Sequence, residues 1–363
     1  MSVQAYDAVI ATIVVASDAT SVTKAMEKST TWREGTSGEW NSTSCTLEAG
    51  KTYQFRTPNS GSGSGITAVL PNIKASVTVG WDTSGSTITT VGDYFLYSYA
   101  RSCSSLTSLS VPDTSGLTTV GTSFMRYYAR SCSSLTSLSV PDTSGLTTVG
   151  DYFMSSYAYG CSGLTSLSAP DTSGLTTVGD YFMSYYADGC TSLTSLSVPD
   201  ISGLTTVGSS FMSYYARSCS SLTSLSVPDT SGLTTVGSSF MAYYAYGCTN
   251  LTSLSVPDTS RLTSVGNNFM SNYAGDCTSL TSLILKGDTG WFSSHNISWN
   301  VPSSRLNYLY AYCDSNYLTN WQGLTATDKT LYLNYIRSSS YVKALPTPIV
   351  GEKYQLPPFR RSV

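Results

Sequence analysis

Residues 103–131 read CSSLTSLSVPDTSGLTTVGTSFMRYYARS, and the chain then begins the same unit again. Cys132, Cys161, Cys190, Cys219, Cys248 and Cys277 open successive copies, each 29 residues after the last. A fixed period of this size marks a repeat architecture, in which each unit buries its apolar face only against its neighbours. Cys45 and Cys313 fall outside the series. Uniform spacing fits neither a paired disulfide framework nor a CxxC metal site. The thiols are therefore read as small buried hydrophobes.

Within one unit, Leu106, Leu109 and Val111 are apolar, and the last two alternate with Ser110, a period-two strand signal. PDTSG is a turn in which Pro112 fixes φ and Asp113 and Gly116 suit turn geometry. LTTV is a second short strand with Leu117 and Val120 as its apolar ends. Gly121 comes next, and the position after it holds Asp93, Thr122, Asp151, Asp180, Ser209, Ser238 or Asn267, all residues that cap helix N-termini. Behind it Phe124, Tyr128 and Cys132 stand at i, i+4 and i+8, which predicts one face of a short helix. Ala129 and its equivalents do not vary, which predicts close packing. The expected fold is mostly β with short helices, a solenoid whose coils stack as a parallel ladder with neighbouring strands ~4.8 Å apart.

Working outward, residues 74–285 form the array. An imperfect first copy spans 75–102, with Ile88 and Val91 in the places of Leu117 and Val120. Residues 1–73 do not repeat. Their alternation (Leu47, Tyr53, Phe55, Ile66, Val69, Ile73, Val77) predicts a small β-rich anchoring or assembly domain, with a loop at Gly61–Gly65. Residues 286–363 begin as a degenerate copy (Tyr308, Tyr310, Tyr312, Cys313, Leu318) and end as a cap with a Pro-rich tail.

Composition limits the function classes. The 363 residues carry a formal net charge of -3, and 11% are charged, against roughly 25% in ordinary globular chains. No basic footprint for nucleic acid exists, and no apolar run is long enough for a membrane span. The one histidine is His295. No nucleophile elbow, phosphate loop, zinc-protease or dinucleotide motif is present. The reading is non-enzymatic: no catalytic residue, no metal site, no cofactor.

LTSLSVPDT matches the leucine-rich skeleton LxxLxLxxN, with Thr114 and its equivalents in the Asn place and Ile201 breaking that row. More narrowly, GCTSLTSLSVPD preceded by VGDYF and YA resembles the BspA-like repeats of bacterial surface proteins. The resemblance covers residues 74–285. It implies a secreted or surface-attached protein that binds host matrix, other cells or glycans.

The strand face supplies the candidate site. Thr107, Ser108 and Ser110 point away from the core, as do Thr136, Ser137 and Ser139. The rows continue through Thr165, Ser166, Thr194, Ser195, Thr223, Ser224, Thr252 and Ser253. The expected surface is broad, uncharged and hydroxyl-covered. It suits a protein or glycan receptor, a second copy of the chain in a homo-oligomer, or, as an alternative, a regular lattice of ice or polysaccharide. Three other series have two readings each. The Asp113 series reads as turn structure or a hard-cation ladder. Tyr127 and its equivalents read as exposed stacking groups or packing between coils. The column Arg101, Arg130, Tyr159, Asp188, Arg217, Tyr246, Gly275 reads as a recognition edge or an unconstrained surface position.

The apolar run Ala8–Ala16 has no Lys or Arg before it, so it is read as a first strand, not a secretory signal. An extracellular-type repeat without an evident export signal fits a virion fibre or decoration protein. A cell-surface adhesin with an unusual or missing leader is the other reading.

Overall fold

The computed structural model describes residues 2–3, 8–24, 31–58, 73–81, 88–259, 261–280, 282–286, 308–312 and 353–355. Ile66, Val69, Gly61–Gly65, His295, Cys313 and Leu318 lie outside them.

The array is a β-solenoid. LTSL pairs with LTSL in parallel and in register, as in Ser137↔Ser108, Ser166↔Ser195 and Ser224↔Ser253. LTTV pairs with LTTV in the same way, as in Thr148↔Thr177 and Thr206↔Thr235. The imperfect first copy joins as its sequence predicts, with Thr90↔Thr119 and Val91↔Val120. It carries a register shift between Ala75 and Ser76.

A one-coil register brings identical side chains together in columns. Trp81 heads a stack of rings that continues through Phe95, Phe124, Phe153, Phe182, Phe211, Phe240 and Phe269, with centroids 5.2–5.6 Å apart. A second buried stack runs from Tyr99 through Tyr128 and Tyr186 to Tyr273. Each such stacked pair adds roughly 0.5–1.5 kcal/mol beyond the area it buries. A buried hydroxyl needs a partner, and these phenols find one. Tyr128 donates to Ser110 O at 2.6 Å and Tyr186 to Ser168 O at 2.6 Å. Thr143, Thr172 and Thr230, in the Asn place of the skeleton, are buried and donate to the Asp carbonyl one coil on.

The predicted short helix does not form; among the described residues there is no helix at all. The segment from Gly121 to Cys132 is a string of turns. Its φ values alternate in hand: Ser123, Met125, Tyr127 and Ser131 lie at 58°, 49°, 60° and 62°. Neighbouring helices need 8–10 Å between axes, but the columns on this side of the coil step by the same 5.2–5.6 Å as the rings. A helix in every coil would not fit that step. The backbone bonds between coils instead: Tyr127 N–H to Ser155 O at 3.0 Å, Ala129 N–H to Tyr157 O at 2.9 Å, Ser131 N–H to Tyr159 O at 2.6 Å. Left-handed φ costs a non-glycine residue about 1–2 kcal/mol, and three of the positions before the cysteine are Gly160, Gly189 and Gly247, with φ of 72–75°.

The cap residues keep their chemistry but change partner. Asp93 Oδ1 accepts from Thr122 N–H at 2.7 Å, Asp151 Oδ1 from Asp180 N–H at 2.8 Å and Asp180 Oδ1 from Ser209 N–H at 2.7 Å. Each caps the next coil. The coils approach so closely there that a Cβ on Gly179 would lie 2.6 Å from Asp151 N.

At the N-terminal end, Ala8–Val15 is the expected strand, with Val9, Ala11, Ile13 and Val15 buried. It pairs antiparallel with Thr52–Pro58 and Ala75–Trp81. Ala75–Trp81 is also the first rung of the solenoid, pairing parallel with Leu106–Leu109. One sheet thus runs from the N-terminal strands into the array. At the other end Tyr308–Tyr312 pairs parallel with Ser282–Lys286 and antiparallel with Lys353–Gln355.

The array cysteines are buried and free. Cys132 Sγ donates to Ala100 O at 2.9 Å and Cys190 Sγ to Ala158 O at 3.1 Å. Burial pushes the Cys190 and Cys277 thiols up to about 12. Two outcomes follow. Phe182→Ala lowers unfolding free energy by about 3–5 kcal/mol and Tyr186→Phe, which leaves Ser168 O unpaired, by about 1–2 kcal/mol, both read from urea denaturation. In the native protein at pH 8 the array thiols resist a soluble disulfide reagent over hours, and all react once the chain is unfolded in guanidinium.

Candidate functional site

The hydroxyl face forms from strand alternation. Leu106 and Leu109 turn inward, while Thr136, Ser137, Thr165, Ser166, Thr194, Ser195, Thr223, Ser224 and Thr252 are exposed. Thr107, Ser108, Ser110 and Ser253 are half-buried. Strand pairing sets them in register in groups, Ser137 with Ser108, Ser166 with Ser195 and Ser224 with Ser253.

The hydroxyls divide into three kinds. In the threonine row alternate members donate to the carbonyl one coil back: Thr136 to Thr107 O at 3.1 Å, Thr194 to Thr165 O at 3.0 Å and Thr252 to Thr223 O at 3.2 Å. Their orientation is therefore set, with the oxygen lone pairs left to accept. Hydroxyls of the Ser110 row face backbone donors, as Ser139 Oγ accepts from Val111 N–H at 2.9 Å and Ser197 Oγ from Ala169 N–H at 2.6 Å. Ser110 and Ser139 therefore hold the sheet together. Among the described residues, the Ser137, Ser166, Ser195 and Ser224 hydroxyls bond to nothing within the protein and can both donate and accept.

Sequence reasoning missed a second hydroxyl band. Thr118, Thr119, Thr147, Thr148, Thr176 and Thr177 are exposed on the LTTV strands. Thr118 and Thr176 bond back one coil, each at 3.2 Å. Its signal was the pair of threonines between Leu117 and Val120, which alternation alone places outward.

Both bands are built of serine and threonine hydroxyls. The Asp113 row lies in the turn that follows. Asp113 Oδ1 accepts from Ser115 N–H at 3.0 Å and Oγ at 2.7 Å, and Asp171 repeats this with Ser173. Those bonds hold the Asp113, Asp171 and Asp200 carboxyls below their usual range. This is turn structure, and no group of three or more His, Cys, Asp and Glu among the described residues is placed to hold a metal.

Tyr127 and its equivalents are half-buried. Tyr185, Tyr214 and Tyr243 stack on one another, so packing between coils accounts for most of their surface. In the variable column, Arg217 pairs with Asp188, Nε to Oδ1 at 3.0 Å and Nη2 to Oδ2 at 2.8 Å. Asp188 is almost fully buried, and that burial raises its carboxyl pKa although Arg217 opposes the shift. The column is thus not uniformly unconstrained.

None of the curated proteins compared matches the chain. A crystal structure of a leucine-rich repeat protein from Bacteroides ovatus ATCC 8483 aligns at 17% identity, over 58% of this chain and 67% of that one. Its TM-score is 0.23, too low to carry an argument. The family described as BspA type Leucine rich repeat region matches in six copies, over residues 96–272 and 156–336. Those spans together cover about two thirds of the 363 residues, and with the in-register LTSL ladder they place this chain in the BspA-type leucine-rich repeat family.

Proposed function

We propose that this protein is a non-enzymatic recognition solenoid, displayed outside the cell on a virion or a cell surface, whose Ser/Thr face binds a protein or glycan receptor. The observation that carries the reading is the exposed, uncharged hydroxyl lattice on the LTSL strands, with the hydroxyls of Thr136, Thr194 and Thr252 in alternate coils held toward the coil before. Such a surface offers many weak, evenly spaced hydrogen bonds, and a multivalent partner sums them. Membership in a repeat family whose members are commonly surface-associated and bind proteins supports it. Among the described residues no helix is long and apolar enough to cross a membrane. The N-terminal sheet, continuous with the array through Ala75–Trp81, acts as the anchoring or assembly element.

The same regularity favours a second reading, a binder of ice or polysaccharide. Threonines from successive coils lie one strand spacing apart, ~4.8 Å, so the face presents a repeat that a crystalline or polymeric partner can match.

The double variant Thr194→Lys, Thr223→Lys tests both without touching the core. Binding of labelled full-length protein to a printed array of glycans and extracellular-matrix proteins is expected to saturate, and to fall about tenfold or more in the double variant, since each lysine places a desolvated charge in the contact. Unchanged binding by the double variant sinks the face as the recognition surface. Thermal hysteresis in ice-growth assays, lost in the double variant, selects the lattice reading instead.

A further inference from the structure

One tyrosine column of the turn segment is interrupted between two of its rings. Tyr185, Tyr214 and Tyr243 occupy the same position in consecutive coils and stack at 4.4 and 4.6 Å, within 5° of parallel. Tyr127 occupies that position two coils before Tyr185, and the residue between them is the small, buried Ser156. Between Tyr127 and Tyr243 the column lacks one ring. Tyr185 therefore has Tyr214 against one face and no ring of its own column against the other.

The vacancy is an open cavity of about 290 Å³. Its lining includes Ser155 and Ser184, whose buried hydroxyls lie 3.0 Å apart, and the side chains of Tyr185 and three arginines, Arg126, Arg130 and Arg217. No carboxylate lines it. Arg126 is held by rings: its guanidinium carbon lies 3.8 Å from the Tyr152 centroid and 4.7 Å from that of Tyr127, and Nη2 donates to Tyr127 Oη at 2.9 Å. Arg130 lies 4.6 Å from the Tyr159 centroid. Of the three, Arg217 is the one with a carboxylate partner among the described residues, Asp188. An arginine steadied by a ring face keeps N–H edges directed outward, the geometry that takes a tetrahedral anion. A chain of formal charge -3 thus concentrates three guanidinium groups around one empty stacking position.

We infer that this slot binds a phenyl ring carrying a sulfate or phosphate ester, the ring occupying the missing rung on Tyr185 and the ester oxygens meeting Arg126 and Arg130. A bare inorganic anion would leave the aromatic face unused, and a neutral ring would leave the guanidinium groups unused. On a macromolecule the group is a sulfated or phosphorylated tyrosine of a partner protein; free in solution it is an aryl ester. The site lies outside both hydroxyl bands, goes beyond the recognition reading, and does not depend on it.

Titration calorimetry of the full chain with phenyl phosphate and phenyl sulfate tests the inference. One saturable site is expected, with a Kd in roughly the micromolar to millimolar range. Inorganic phosphate, inorganic sulfate and phenol each bind at least about tenfold more weakly, because each forfeits one half of the recognition. Ser156→Tyr supplies the ring that neighbouring coils carry at the same left-handed φ (57° at Ser156, 56° at Tyr185) and abolishes binding. Arg126→Ser installs the residue found at the same position in the next three coils and weakens binding about tenfold. Circular dichroism checks that each variant folds, and should Ser156→Tyr fail that check, Arg126→Ser decides. Absence of saturable binding by both esters, or unchanged affinity in the folded variants, overturns the inference. Equal or tighter binding of glucuronic acid overturns it in favour of an acidic glycan. A peptide bearing the modified tyrosine that binds more tightly than the free ester upholds the slot and assigns its ligand to a protein; equal affinity upholds it and assigns a small molecule.

Discussion

Everything in this molecule depends on the lateral hydrogen bonding that sets one coil on the next. The Ser224↔Ser253 and Thr206↔Thr235 ladders, the Tyr127-to-Ser155 bonds and the Asp180 cap on Ser209 all join one coil to the next. Buried backbone groups must be paired, and here the partner is in the adjacent coil as often as in the same one. The step is therefore that of a β-ladder on every side of the solenoid. It brings rings to within 5.2–5.6 Å in the phenylalanine column, and it excludes a helix from the turn segment.

That constraint turns a repeated sequence into columns, and the columns divide the labour. Phe124, Tyr128, Cys132, Leu106 and Ala129 lie in the interior columns, and a Cβ on Gly179 would collide with Asp151 in the coil before. The outward columns carry no such restriction. Where they stay uniform, as in the threonine and serine rows, the surface is a lattice suited to a partner that is itself repetitive. Where one copy departs from its neighbours, the departure becomes a local shape. Ser156 in a column of tyrosines makes a cavity, and Arg126 in a column that next holds Ser155 and Ser184 lines its edge.

The ends show the same economy of architecture. A solenoid leaves open ladder edges that invite pairing with another chain. At the N-terminal end Ala75–Trp81 is covered by the antiparallel strand Ala8–Val15, and Trp81 closes the ring column over Phe95. At the other end the antiparallel strand Lys353–Gln355 lies against Tyr308–Tyr312. On the LTSL side each flank changes from parallel to antiparallel pairing, whereas on the LTTV side Ser2–Val3 continues in parallel against Thr90–Val91.

The period, the polarity of each position and the residue types that favour turns are local properties of the chain, and they were legible from one unit. They were enough to place Leu106 and Leu109 inside, Thr136 and Ser137 outside, Asp113 in a turn, and a strand at Ala8–Val15. They were also enough to recognise the repeat family. What they left open was which partner each group would choose. Phe124, Tyr128 and Cys132 are all buried, as a helix face would bury them, yet they sit on alternating turns. Asp180 caps a backbone N–H, as its type predicts, but in the next coil. The missing ring at Ser156 is a difference between copies whose meaning appears only when Tyr127 and Tyr185 are brought to either side of it. Sequence determines what each position prefers because preference acts over a few bonds. Only the stacked structure decides between partners one full coil away, because that choice is set by the spacing the ladder imposes on every coil at once.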